Sequence, residues 1–255
     1  MLVVLGAVGL FFSSTANALN IERLEPYEIE VLHSILWRLE ELIRAKKQDG
    51  TANLLSWEEL SQPLSAEEHK SVKAFRALKA EHLGSTSHYF GELASPLDLV
   101  PVGRQVVMKA GQASPLDPQY LPREVYEAYA AMTKVMERDL GKRLLVESGY
   151  RSPAYQLYLF LFYLPRHGYS IRETNRHVAL PGYSEHGYPP RQAIDFINQE
   201  GINGEDNPEE FEWLVEYQWL LTHADRFGFH PSYPRNNPYN TAFEPWHWHY
   251  EAPPP

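Results

Sequence analysis

Cysteine is absent from the 255 residues, which excludes disulfides, thiolate metal ligands and a cysteine nucleophile. Positive charge is scarce: 23 Lys and Arg stand against 33 Asp and Glu, a formal net charge of -10. That balance argues against the basic footprint of a nucleic-acid or anionic-membrane binder, so a small molecule or a locally read polymer is the expected partner, and no nucleic acid. No serine is followed three residues later by lysine, and neither Gly-x-Ser-x-Gly nor His-Glu-x-x-His occurs. Serine acyl transfer is thereby disfavoured. Disorder is disfavoured too, because 44% hydrophobic and 13% aromatic residues suffice for a core in one large or two smaller domains.

Long apolar runs are also few. The N-terminal one, Leu2 to Phe12, is followed by Ala16-Asn17-Ala18, the small-x-small pattern a signal peptidase accepts. It is shorter than the ~20 residues of a spanning helix. Residues 1–18 are therefore expected to be a signal peptide cleaved after Ala18, although no Lys or Arg precedes the run. The mature protein would be periplasmic or secreted, with no stable membrane span.

Residues 19–97 form the next unit. "PYEIEVLHSILWRLEELIRAKK" places Ile29, Leu32, Ile35, Leu36, Leu39 and Ile43 on one helix face, and Ser65 followed by Glu68 is a capping-box signature. These read as packing helices, and His33, His69 and His82 within them carry no ligand motif. From about Gly91 to Pro122 proline and glycine dominate, and the repeated "ASPLD" is too short to mark a repeat architecture. "REVYEAYAAMTKVMERDLGKR" then predicts a helix closing at Gly141, and "LLVES" a short buried strand.

Chemistry concentrates in three later clusters: Arg151 with Gln156, Ser184 with His186 and Asp195, and "EPWHWHY" at 244–250. Imidazoles and a carboxylate are the donors of a mononuclear zinc hydrolase that keeps one position open for water. If "QAIDFI" is a strand, Ala193 and Asp195 share one face and Ile194 and Phe196 the other. Likewise His247 and His249 share a face opposite Trp246, Trp248 and Tyr250, while Pro245 should disturb pairing near Glu244. Buried Asp–His pairs and aromatic-rich strands are also common as structural features.

Four segments, "SGYRSPAYQ" (148–156), "SEHGYPPRQAID" (184–195), "WLLTHADRFGFHPSYP" (219–234) and "EPWHWHY" (244–250), occur in the order of a known family. The chain resembles the zinc D-alanyl-D-alanine carboxypeptidases of the vancomycin-resistance type. These belong to the LAS metallopeptidases (lysostaphin, D-Ala-D-Ala peptidases, the sonic hedgehog N-domain). The resemblance covers about residues 98–252 and implies an α+β fold of LAS type. A small antiparallel sheet flanked by helices would follow the helical N-terminal region. It further implies that His186, Asp195 and His247 bind Zn2+, that Glu244 is the general base, that Arg151 stabilises the oxyanion, and that Ser184 and Gln156 line the substrate pocket.

The departures from the family pattern are local. The family usually writes Ser-x-His-x-x-Gly-x-Ala-x-Asp, with seven positions from histidine to aspartate; here there are nine, and Arg191 replaces the glycine. Arg191 either reaches a substrate carboxylate or is a solvated loop residue. Where the family often has arginine this chain has His249, a rival to His247, since other LAS members bind zinc through the second histidine of a His-x-His pair. The implied activity is trimming of a terminal D-alanine from peptidoglycan stem peptides. Alternatives on the same scaffold are a D,D-endopeptidase, a D,D-dipeptidase, or a non-catalytic zinc-bearing module that binds peptidoglycan.

Overall fold

A computed structural model describes residues 19–252, so the expected signal peptide lies outside the described residues. Helix α1 (Pro26–Gln48) buries Val31, Leu32, Ile35, Leu39 and Ile43, and its last turn carries Lys46 and Lys47 against the negative end of the helix dipole. Helices α2 (Trp57–Ser61) and α3 (Ala66–Arg76) each begin at a reciprocal capping box, Ser56 with Glu59 and Ser65 with Glu68.

The proline- and glycine-rich stretch holds two short antiparallel ladders. Strand β1 (Leu99–Pro101) pairs with β4 (Tyr120–Pro122), and β2 (Val106–Lys109) with β3 (Gln112–Pro115). Helix α4 (Arg123–Leu140) closes at Gly141 in the left-handed region (φ 66°), as the sequence predicts. Strand β5 (Leu144–Ser148) follows, then α5 (Pro153–Tyr163), α6 (Ile171–Thr174), β6 (Ala193–Asn198), α7 (Pro208–Glu212), α8 (Val215–His223), β7 (Phe229–Tyr233) and β8 (Glu244–Tyr250).

The main sheet has the order β5-β6-β8-β7 and is antiparallel throughout. One face sends Val146, Ile194, Phe196, Phe229 and Trp248 into a core with Val125, Met132 and Met136 of α4 and Trp219 and Leu220 of α8. The other face carries Ala193 opposite His249 and Asp195 opposite His247. Pro245 stands near the start of β8, where the ladder to β7 slips register between Pro231 and Tyr233. The expected disturbance is thus a local irregularity and not the end of the strand.

A second core joins α1 and α3 to α5, with Leu32, Ile35, Leu39 and Phe75 packed with Leu157, Phe160, Leu161 and Leu164. The α+β architecture is the one expected: a small antiparallel sheet flanked by helices behind a helical N-terminal region. Among the described residues no helix is long and apolar enough to cross a membrane.

Candidate active site

The polypeptide leaves β5 through Gly149, which packs against another backbone: a Cβ there would sit 2.4 Å from the carbonyl oxygen of Tyr120. Two residues on, Arg151 precedes Ser152, whose hydroxyl accepts the N–H of Tyr155 and so caps α5. Gln156 follows one turn into that helix. A 3-10 turn over residues 185–187 presents His186, and the strand after it presents Asp195.

The two imidazoles are held by opposite nitrogens. His186 Nδ1 lies 2.7 Å from the carbonyl oxygen of Gly149, which only a protonated nitrogen can satisfy, so Nε2 keeps its lone pair. His247 instead donates Nε2–H to Glu185 Oε2 (3.0 Å) and turns Nδ1 inward. The inward nitrogens approach the carboxylate of Asp195 between them: His186 Nε2 to Oδ2 at 3.1 Å and His247 Nδ1 to Oδ1 at 2.8 Å. Neither contact is aligned as a hydrogen bond, and His186 Nε2 and Asp195 Oδ1 are buried without a partner. Donor atoms of His186, Asp195 and His247 lie within 4.8 Å of one another. Buried polar atoms left unpaired cost about 1–3 kcal/mol each, so facing lone pairs of this kind call for a cation. Two nitrogens and one carboxylate oxygen are a donor set that fits zinc.

The electrostatics agree. Burial opposes charge on Asp195, yet His186 and His247 hold its carboxyl well below the usual carboxylate range. Burial, reinforced by Arg151, pushes His186 down to about 4. Burial lowers His247 as well, but Asp195 and Glu185 overcome it and lift the imidazole to about 10. Glu185, although buried, is held at about 2, chiefly by its hydrogen bond to His247. The cluster therefore stabilises positive charge among its carboxylates.

The other residues singled out from the sequence gather around the same point. Arg151 Nη2 lies 3.1 Å from Asp195 Oδ2, and its Nε is buried and unpaired. Glu244 Oε2 is 3.8 Å from His247 Nδ1, and burial lifts its carboxyl to about 8. Gln156 spends Nε2 on the carbonyl of Ala179 (2.7 Å) and leaves Oε1 free. Arg151, Gln156, Ser184, Glu244 and the three donor residues all line one cleft of 870 Å³, to which the N-terminal region adds Lys47, Asn53 and Ser87.

His249 stands apart. It pairs with Ala193, one pleat away from Asp195, and its Nδ1 lies 2.7 Å from the hydroxyl of Ser232, behind the donor cluster. Arg191 fits neither expectation: it does not line the cleft, and it is not simply solvated. Its Nε donates to Glu185 Oε1 (2.7 Å) and its Nη1 pairs with Glu251. Sequence reasoning missed Glu185 and Tyr233, whose ring lies 4.8 Å from that of His247. Glu185 did offer a signal, a carboxylate set inside the Ser-x-His motif.

Comparisons with known proteins follow the same lines. The family model described as "VanY: D-alanyl-D-alanine carboxypeptidase" matches residues 118–253, more than half of the chain. A curated relative, the putative carboxypeptidase YodJ of Bacillus subtilis (strain 168), is 31% identical over 134 residues, and the matched part spans 46% of its length and 52% of this chain. Among solved structures, the LdcB LD-carboxypeptidase, described with the molecular basis of peptidoglycan recognition, shares 26% identity at a TM-score of 0.50. The match covers 67% of this chain and 77% of that one. The vancomycin-resistance D,D-pentapeptidase VanY of a VanB-type cassette, solved with Zn(II), shares 21% identity at a TM-score of 0.43, over 59% of this chain and 80% of that one.

Proposed function

The chain belongs to the VanY D-alanyl-D-alanine carboxypeptidase family, and from that footing we propose that it is an exported zinc peptidase releasing a terminal D-alanine from peptidoglycan stem peptides. The observation that carries the reading is the set of inward-facing donor atoms of His186, Asp195 and His247 on the wall of a cleft, with His186 Nε2 and Asp195 Oδ1 left unpaired. These three would hold the ion. When bound, zinc supplies Lewis acidity, polarising a carbonyl and acidifying water.

The remaining work falls to the chain's own side chains. Glu244, beside His247, accepts the proton of the attacking water as a carboxylate and returns it to the leaving amine. The Arg151 guanidinium opposes the negative charge that develops on the scissile carbonyl oxygen. Ser184 and the free Oε1 of Gln156 offer the substrate backbone hydrogen bonds inside the cleft. All these residues lie in the unit 98–252, with residues 19–97 as a helical wall. The apolar N-terminal run supports export; mass spectrometry of the mature protein should find Leu19 first, and an intact Met1 species confined to the cytoplasm would refute it.

Glu244→Gln tests catalysis against mere binding. It keeps side-chain size and removes the basic carboxylate, so zinc content should hold while D-alanine release falls ~10²- to 10⁴-fold. Wild-type protein that binds peptidoglycan but releases nothing from any muropeptide would make the chain a binding module. A second reading, L,D-carboxypeptidase activity, is favoured by the likeness to LdcB. Product masses from purified muropeptides separate the two, since the D,D-enzyme shortens pentapeptides and the L,D-enzyme tetrapeptides.

A further inference from the structure

We propose that Arg191, carried by the lengthened loop between His186 and Asp195, is a positioning residue for the metal centre, acting through Glu185 to hold His247 with its Nδ1 turned inward. The inference rests on the zinc reading above. Only one of the two ring nitrogens of His247 can face the ion, and the partner of the other decides which. That partner is Glu185, which accepts Nε2–H at 3.0 Å and is 5% exposed.

A carboxylate fixes an imidazole only if it is itself fixed. Glu185 Oε2 also receives the hydroxyl of Ser232 (2.5 Å), and Oε1 receives Arg191 Nε (2.7 Å). Arg191 is anchored from behind by Glu251 and lies 3.3 Å from His249 Nδ1 through Nη2. Pro189 and Pro190 stiffen the 3-10 turn that delivers it. The guanidinium thus reaches the centre at second hand, through Glu185, and Arg191 itself lies outside the cleft lining. The two extra loop residues and the arginine in place of glycine are one device, a half-buried clamp on the carboxylate that aims a ligand. His249 belongs to this clamp and not to the ligand set.

The test compares zinc affinity, by chelator competition on the full-length chain, for wild type, Arg191→Met, Arg191→Lys, Glu185→Gln and the Arg191→Met/Glu185→Gln double variant. Arg191→Met should weaken zinc binding ~10-fold, the low end of the range for a lost partner of a ligand, because Arg191 acts through Glu185. Arg191→Lys should recover part of that loss, and in the Glu185→Gln background Arg191→Met should cost less than about 3-fold more. In parallel, NMR of metal-free, 15N-histidine-labelled protein should show His247 Nε2–H exchanging at least ~10-fold faster in Arg191→Met than in wild type. Affinity unchanged within about twofold, or an equal loss in both backgrounds, overturns the proposal. If wild type takes up no zinc the functional reading fails, and the exchange rate still decides this one, an unchanged rate overturning it. Should Arg191→Met not fold, Arg191→Lys is read alone, and unchanged zinc affinity there refutes the clamp.

Discussion

Gly149→Ala should damage the metal site without touching any residue in it. The added Cβ would stand 2.4 Å from Tyr120 O and 3.0 Å from Leu121 Cδ2. Tyr120 cannot give way easily, because it is paired with Pro101 and its carbonyl already accepts Tyr150 N at 2.8 Å. Ordinary contact begins near 3.4 Å, so the two backbones must part by about 1 Å (3.4 − 2.4). Such a shift breaks the Tyr150 N–Tyr120 O bond and strains the 3.0 Å bond from Gly149 N to Gln119 Oε1. Overpacking costs about 1–3 kcal/mol and each lost hydrogen bond about 1, so about 3 kcal/mol of stability should go. Gly149 O is also the acceptor that fixes the tautomer of His186, at 2.7 Å. Zinc affinity should therefore fall ~10- to 100-fold as well.

Urea denaturation of the metal-free protein and chelator competition for zinc measure the two effects separately. Gly111→Ala is the control: at φ 78° it strains the backbone, but its Cβ would meet nothing within 4 Å. It should cost about 1–2 kcal/mol and leave zinc binding alone. If Gly149→Ala is no more destabilising than the control and binds zinc within about twofold of wild type, both the crowding and the acceptor argument are wrong.

His247→Ala should empty the metal site while His249→Ala leaves zinc content nearly intact; the reverse result, by metal analysis of the purified variants, would transfer the ligand role to His249. Glu68 supplies a pH test: burial opposes its charge, but hydrogen bonds from Ser34, Ser65 and Arg38 hold it at about 2, below an ordinary 4.5. A depressed carboxyl stabilises the fold above its unfolded value and loses that contribution as pH falls from about 4.5 toward 2, so Glu68→Gln should cost about 2 kcal/mol at pH 7, screening at half-exposed Arg38 included, and flatten the acid limb. Parallel acid limbs for wild type and variant, in urea denaturation from pH 7 to pH 3, would contradict it.

What could be read from the sequence was local. Strand alternation alone put Asp195 on the open face of β6 and His247 with His249 on one face of β8, and the capping box at Ser65 and the stop at Gly141 needed only neighbours. Which histidine meets Asp195 depends on the β6–β8 register, a pairing across 52 positions that no spacing rule contains. The same holds for Glu185, whose partner His247 is 62 positions away, and for Arg191, whose fate turns on the path of a loop. The ladders between residues 99 and 122 were illegible for a different reason. Strands of three or four residues are too short to carry a period-two pattern.

Residues 19–97 contain no chemical motif, yet they bear on the chemistry. Helix α5, "PAYQLYLFLFY", is apolar nearly all round, and such a helix must be covered on nearly every side. The face with Leu157, Phe160 and Leu161 is covered by α1 and α2, while Tyr155, Gln156, Leu159 and Tyr163 are left to the cleft. Its first turn is fastened in the same direction: Ser152 N donates to Asn53 O at 2.8 Å and Ser152 Oγ to Leu55 O at 2.6 Å. Arg151 immediately precedes that anchor and Gln156 follows it by one turn, so the N-terminal helices fix where both stand relative to Asp195. With Lys47, Asn53 and Ser87 also on the cleft wall, the region forms part of the cleft, whose shape depends on it as well as on the sheet that carries Asp195 and His247.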